Sequence, residues 1–487
     1  MFASQIKPLA SAVRWSVIAK YGGQLCFVVA VLTLVPAMVS LGFGELRVVL
    51  RFLIISGALL VVAAGAVYIK ESTHLQVNEA LAITALIFLI APLLTVYPLM
   101  GYGLSFLDAL FEATSGVTTT GLSTLGFIEG KPSGFLFVRA WMQWYGGLGI
   151  VVLSLALFMG HGQVARRLAG GTWEPSDMVG SARAHARSAL MVYLLLTVCG
   201  FLVLRSMGVQ AFPALLHTLA AVSTGGFSPY DDSLIGLGDW LQQAANLLFA
   251  FFGAIPLALY YRAYRAGFRE LVGDMEVRVL VLAVLLLTVF LSWSRVWVGG
   301  ASWSEAVWHA PLLAFSAQST TGFSSLQIGE LDSVSKLGLI VSMFLGGGMG
   351  STSGGIKIIR FLILLRLLQL LFVRASLPPH AVLEPTLGRR RLEPLDIERA
   401  VAIVFLYLIT IVLSWLPFLA YGYDPLDSLF DVVSAVATVG LSTGVTSPSL
   451  EPTLKLVLCL DMLLGRLEIV ALLILLLPGT WFGKRID

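Results

Sequence analysis

The chain has 487 residues, 57% of them apolar and only 12% charged, with a mean hydropathy of +0.89. A soluble domain carries about 25% charged residues, so the composition excludes an ordinary water-soluble fold and places this chain in lipid. The net charge of +3 decides little, because in a membrane protein the distribution of charge matters more than its sum.

Taken in order, the basic start MFASQIKPLASAVRWSVIAK is not read as a cleavable signal, because the apolar run behind it is long enough to remain as a span. Apolar runs at 17–41 and 48–69 form a first pair, joined by a short polar turn. A unit then follows: a span at 80–100, a short helix at 105–117, the stretch TTTGLST at 118–124, and a span at 135–159. The unit recurs with spans near 187–204 and 240–261, 277–298 and 337–371, and 400–421 and 453–477. The expected fold is therefore an all-α polytopic membrane protein of ten spans, each near the ~20 residues that cross hydrocarbon. The domains read as an N-terminal helix pair (1–75) and four pore repeats (76–185, 186–275, 276–395 with a gating loop, and 396–487). An even number of spans separates successive stretches, so all units enter the membrane alike and can surround one axis normal to it.

The echoes of TTTGLST are VSTGGFS (222–228), STTGFSS (319–325) and ATVGLST (437–443). Aligned without gaps, they put Gly121, Gly225, Gly322 and Gly440 in one column, preceded by Thr119 and Thr120, Ser223 and Thr224, Thr320 and Thr321, and Thr438 and Val439. Non-helical backbone at membrane depth is costly unless it lines a polar cavity. Four such stretches converging as a ring of carbonyl oxygens would replace the hydration shell of an alkali cation. Close helix packing explains one such glycine; four in register point to a filter, and glycine throughout the column points to potassium.

Ser105-x-x-Asp108, Ser302-x-x-Glu305 and Asp424-Pro425-x-Asp427 are helix starts with a cap residue and an acid in the first turn. The short helices thus direct their negative carbonyl ends inward, which favours a cation where they converge. Asp108 and Asp427 read as caps. Glu112 and Asp431, deeper in the helix, either make local hydrogen bonds only, or set the field or buttress the filter. His217 reads as packed or hydrogen-bonded. Arg139, Gln143 and Trp144, before Gly146-Gly147-x-Gly149, read as interfacial anchoring followed by close packing, and Pro256 marks a bend. Cys26, Cys199 and Cys459 lie far apart in apolar runs and read as packing residues.

The second span of the third unit is interrupted by GGGMGSTSGG: Gly346, Gly347, Gly348, Met349, Gly350, Ser351, Thr352, Ser353, Gly354 and Gly355. Glycine costs about 1 kcal/mol per helical position, so this run is expected to unwind into a loop, either a gate beneath the filter or a mere kink for packing. Lys357 follows it. In the fourth unit Asp461, Arg466 and Glu468 lie inside an apolar span, where an arginine needs a partner or a wet cavity. Arg466 either faces the pore as a barrier or pairs with Asp461 or Glu468.

Loop charge orients the chain. Arg166, Arg167, Arg183, Arg187, Arg262, Arg265, Arg269, Arg374, Arg389, Arg390, Arg391, Arg399, Lys484 and Arg485 fall on the side of both termini. Glu129, Asp231, Asp232, Asp239, Glu330, Asp332, Asp424 and Glu451 fall around the short helices. The positive-inside rule puts the termini in the cytoplasm and the four stretches at the outer face, where acidic loops concentrate cations.

The four stretches, GGGMGSTSGGIKIIR and MLLGRLEIVALLILL (462–476) resemble the TrkH/TrkG family of bacterial potassium uptake proteins, in the superfamily that also holds KtrB and the plant HKT transporters. The resemblance implies a homodimer in the bacterial inner membrane, each protomer with its own pore for K+ and Rb+. It implies that the glycine-rich segment gates the pore, that Arg466 reaches into the ion path, and that a cytosolic TrkA-type nucleotide-binding ring regulates opening. The N-terminal helix pair favours TrkH/TrkG over KtrB. Val439, where the other copies have threonine, and Met349, where a smaller residue is expected, depart from the pattern. No cofactor beyond a pore K+ ion and no nucleic acid partner is expected. A KtrB-like or H+/Na+-coupled symporter is the related alternative. A secondary carrier of an organic solute would show inverted repeats and a substrate-sized site. An intramembrane enzyme would need a nucleophile–base or metal constellation at one depth, and the six histidines are scattered instead. With no Walker loop, HExxH, GxSxG or dinucleotide fingerprint, energy or nucleotide control would come from elsewhere.

Overall fold

The computed structural model describes residues 12–69, 76–159, 178–376, 385–388 and 390–482. Arg166, Arg167, Arg389, Lys484 and Arg485 lie outside the described residues. Among the described residues six helices are long and apolar enough to cross a bilayer: Trp15–Gly42, Leu46–Val67, Asn78–Tyr102, Ala186–Ser206, Met275–Trp297 and Pro394–Ala420. The first two pack as a hairpin; the other four open the four repeats. Many of their large side chains face outward. Leu282, Leu285, Leu286 and Val289 on one helix, and Phe405, Val412 and Leu413 on another, are exposed, as a lipid-facing surface requires.

Each repeat continues into a short helix that is mostly buried: Phe106–Val117, Ala211–Val222, Trp303–Gln318 and Pro425–Val436. Three start on the caps expected. Ser105 accepts from Asp108 N, Ser302 from Glu305 N, and Asp424 from Leu426 N and Asp427 N; the second, behind Gln210, has no side-chain cap.

The closing helices of the repeats differ. The first is continuous, Ser133–Met159. The second breaks where Pro256 was expected to bend it, into Trp240–Gly253 and Leu257–Ala266 at 86°. The third breaks over the glycine-rich run, into Ser333–Leu345 and Ile358–Ala375. The fourth breaks over residues that are neither glycine nor proline, just past Gly465: Pro452–Arg466 ends, Glu468 and Ile469 stand at φ +53° and +61°, and Val470–Leu476 resumes. Such backbone costs about 1–3 kcal/mol per residue unless its surroundings fix it. Here Ile469 N bonds Leu464 O at 2.7 Å, the Tyr407 hydroxyl bonds Gly465 O at 3.0 Å, and the Glu468 carboxylate pairs with Arg360. A two-residue hairpin, Thr386–Leu387 against Arg390–Arg391, lies between the third and fourth repeats.

The closing helices press on the short helices through glycine. A Cβ built on Gly146, Gly253 or Gly465 would lie 2.1, 2.4 or 1.8 Å from the carbonyl oxygen of Val117, Val222 or Val436, the last residue of that repeat's short helix. Small residues at these contacts bring helix backbones together, and the repetition marks a common axis. One core cluster joins the N-terminal pair to repeats 1 and 2; a second joins repeats 3 and 4. The three cysteines are free.

Candidate functional site

The four short helices end in loops of one conformation. Beyond each last helical residue comes a cap (Thr118, Ser223, Ser319, Ala437), then a residue at positive φ: Thr119 at +53°, Thr224 at +51°, Thr320 at +57°, Thr438 at +51°. The next residue (Thr120, Gly225, Thr321, Val439) donates its N–H to the helix at 2.8–2.9 Å. Then comes a glycine at positive φ: Gly121 at +92°, Gly226 at +78°, Gly322 at +81°, Gly440 at +98°. This corrects the ungapped alignment. In the second repeat the column glycine is Gly226, Gly225 sits one place earlier with Thr120, Thr321 and Val439, and Ser223 is a helix cap whose hydroxyl donates to Leu219 O at 2.8 Å.

The loops meet in a closed ring. A Cβ on Gly121 would fall 2.3 Å from Gly225 O, on Gly226 2.0 Å from Thr321 O, on Gly322 2.0 Å from Val439 O, and on Gly440 2.1 Å from Thr120 O. Repeat 1 thus touches repeat 2, 2 touches 3, 3 touches 4, and 4 returns to 1. Glycine is required twice over, by the backbone region and by the neighbour's carbonyl. The column glycines are half-buried and the residues before them buried. Among the described residues no hydrogen bond reaches the carbonyls of Thr119–Gly121, Thr224, Gly226, Thr320–Gly322 or Thr438–Gly440. Buried carbonyls are almost always paired, so a set left free around one axis is chemically suited to a cation.

Glu112 and Asp431 both hydrogen-bond the loops that follow their helices. Glu112 pairs with Arg139 at 2.9 Å and accepts from the Ser123 hydroxyl. Asp431 accepts from Ser442 (2.7 Å), Thr443 N (2.8 Å), Thr446 N (2.8 Å) and the Thr446 hydroxyl (2.7 Å). Asp108 and Asp427 do more than cap. Lys455 reaches Asp108 at 2.8 Å and Lys336 reaches Asp427 at 2.7 Å, each lysine coming from the preceding repeat in the ring. His217 is buried between Tyr230 and Phe323, with no hydrogen bond to either ring nitrogen among the described residues. Arg139, Gln143 and Trp144 are not interfacial anchors: all three are buried. Gln143 donates to Gly225 O and accepts from Phe227 N at 3.0 Å.

The glycine-rich run lies across the helix-carbonyl side of this ring. Gly346, at φ +67°, ends the helix, and its carbonyl accepts from Gln318 Nε2 at 2.7 Å. Gly347 O accepts from Ile358 N at 3.1 Å, and Gly348 N and Gly350 O bond Ala254 O (3.0 Å) and Leu257 N (3.2 Å) at the break in the second repeat. Met349 N donates to Glu276 at 2.6 Å. The Ser351 and Ser353 hydroxyls pair at 3.1 Å. The Thr352 hydroxyl bonds Val222 O (3.1 Å) and Gly253 O (2.9 Å), Gly354 N bonds the Thr320 hydroxyl (2.7 Å), and Gly355 N bonds Ala437 O (3.0 Å). Lys357 folds back onto Ser353 O. Arg466, 2% exposed, pairs with neither Asp461 nor Glu468. Its Nη1 donates to Thr352 O at 2.8 Å and its Nη2 to Gly146 O at 3.3 Å, joining the run to the first repeat. Asp461 accepts from Ser414 and Glu468 pairs with Arg360.

Known proteins are similar to this chain over most of its length. The sequence model of the TrkH family, described as a cation transport protein, matches residues 50–479. Among curated relatives, the Trk system potassium uptake protein TrkG of Escherichia coli is 28% identical over 92% of this chain and 95% of its own. TrkI of Halomonas elongata is 30% identical over 96% and 97%, and the uncharacterized cation transporter MJ1485 of Methanocaldococcus jannaschii 29% over 93% of both. The crystal structure of the potassium transporter TrkH from Vibrio parahaemolyticus superposes with a TM-score of 0.84 at 26% identity, covering 96% of this chain and 100% of that one. With the family model spanning most of its length and the ring, the four repeats and the broken third repeat all present, the chain belongs to the TrkH family of cation transport proteins.

Proposed function

We propose that this chain takes up K+ through the ring of four loops, with Thr119–Gly121, Thr224–Gly226, Thr320–Gly322 and Thr438–Gly440 as its selectivity filter. The observation that carries the reading is the cyclic contact of the column glycines with four carbonyls of which, among the described residues, three accept no hydrogen bond and the fourth, Gly225 O, accepts one from Gln143. Free carbonyls of fixed spacing stand in for the water a potassium ion sheds, and the four short helices add their negative ends. The relatives named for potassium uptake supply the ion.

In this reading Gly346–Gly355 is the gate, held shut by Thr352 against the second repeat and by Arg466 between Thr352 and Gly146. A guanidinium under the filter opposes a cation until it withdraws. The protein works as a homodimer in a bacterial inner membrane with both termini cytoplasmic, and a TrkA-type nucleotide-binding ring docks on the basic cytoplasmic side. The test is tracer flux in proteoliposomes: 86Rb+ enters in preference to 22Na+, and Gly121→Ser removes the preference. Equal entry of the two ions in the unaltered protein overturns the reading.

A further inference from the structure

We propose that Gln143 is a positioning residue that determines ion preference, its carboxamide taking the place of a side chain the second loop lacks. The proposal rests on the filter reading above. At the level just before the column glycine, three repeats carry a buried side chain, Thr120, Thr321 and Val439. The Thr120 hydroxyl pairs with that of Thr118 at 2.8 Å and the Thr321 hydroxyl with that of Ser319 at 2.7 Å, so each bulk is locked to its own loop. The second repeat has Gly225. A Cβ there would lie 2.4 Å from Gln143 Cδ and 2.5 Å from its Oε1. Gln143 therefore fills the volume a threonine fills elsewhere, although it comes from the closing helix of the first repeat. The positions three residues before Gly253 and Gly465, matching Gln143 before Gly146, are Ala250 and Met462; neither carries an amide.

The carboxamide is used at both ends. Its nitrogen donates to Gly225 O and its oxygen accepts from Phe227 N, so the side chain clamps the backbone on either side of Gly226. At this level of the ring the four carbonyls are those of Thr120, Gly225, Thr321 and Val439, and each lies against the column glycine of a neighbouring repeat. Among the described residues only Gly225 O accepts a hydrogen bond. A carbonyl that already receives an N–H is fixed in place and is a weaker ligand than its three companions. The ring is thus four-fold in backbone and unequal in field, and Gln143 sets the inequality.

The experiment compares 86Rb+ and 22Na+ entry into proteoliposomes for Gln143→Leu, Gly225→Thr and the exchange pair Gln143→Ala with Gly225→Thr, with insertion and monodispersity checked for each. Gln143→Leu keeps the bulk and removes both hydrogen bonds, and it is expected to lower Rb+-over-Na+ preference about tenfold, the equivalent of ~1.4 kcal/mol. Gly225→Thr alone, clashing with Gln143, is expected to lose flux, and the exchange pair to regain flux because the threonine returns the missing side chain, while its preference stays as low as that of Gln143→Leu because neither hydrogen bond is restored. A monodisperse Gln143→Leu whose preference stays within about twofold of the unaltered protein overturns the proposal. An exchange pair no better than Gly225→Thr alone also overturns it, and decides the matter if Gln143→Leu does not fold. Loss of the filter reading itself appears differently, as equal Rb+ and Na+ entry in the unaltered protein.

Discussion

Serine at a column glycine puts a side chain where the ring leaves none. Gly121 stands at φ +92°, a region that costs a residue with a Cβ about 1–3 kcal/mol. The added Cβ would begin 2.3 Å from Gly225 O, and ordinary contact requires the carbonyl, or the new residue's own backbone, to move by roughly 1 Å. That carbonyl belongs to the next loop, so the distortion enters the ligand ring while the helices behind it keep their packing. At ~1.4 kcal/mol per factor of ten, strain of this size lowers Rb+-over-Na+ preference by roughly ten- to a hundredfold. Competitive 86Rb+ and 22Na+ entry into proteoliposomes reads the ratio directly. The register makes the expectation sharper: Gly226→Ser behaves as Gly121→Ser does, since its Cβ meets Thr321 O at 2.0 Å. A ratio unchanged in both variants, with the protein inserted and monodisperse, refutes the reasoning.

Other perturbations separate gate, buttress and scaffold. Arg466→Ala removes the two hydrogen bonds that tie Thr352 to Gly146 and is expected to raise basal flux roughly tenfold with the ion ratio unchanged; lower flux with an altered ratio counts against a gate. Deleting residues 346–350 also raises flux without altering the ratio, read in the same assay. Asp431→Asn weakens the acceptor of five hydrogen bonds and costs roughly 1.5–3 kcal/mol, visible as a lower midpoint of thermal unfolding in detergent. Lys455→Met breaks the pair with Asp108 and the hydrogen bond to Pro448 O and costs roughly 1.5–3 kcal/mol in the same measurement.

Much of the fold is legible because it follows from local pattern. Length and apolarity give the spans, Ser105, Ser302 and Asp424 give the starts of three short helices, and the glycine run gives the third break. The second loop is misread by one position because Gly225 and Gly226 are adjacent, and identity alone does not tell which carries the positive φ. The fourth break is silent: Leu467, Glu468 and Ile469 are ordinary residues held in strained backbone by Tyr407 and Arg360, both distant in sequence. Arg139 and Gln143 look like interfacial anchors because their partners, Glu112 and Gly225, lie 27 and 82 residues away. Lys336 and Lys455 are missed for the same reason: each pairs with an acid in another repeat, and pairing across a ring leaves no trace in neighbouring residues.

Crystals of the purified protein grown in Rb+ and measured at the rubidium absorption edge place the ion itself. The expected result is anomalous density on the axis enclosed by the carbonyls of Thr120, Gly225, Thr321 and Val439 and their neighbours. Anomalous density found only away from that axis, with the four loops empty at saturating Rb+, contradicts a cation path through the ring.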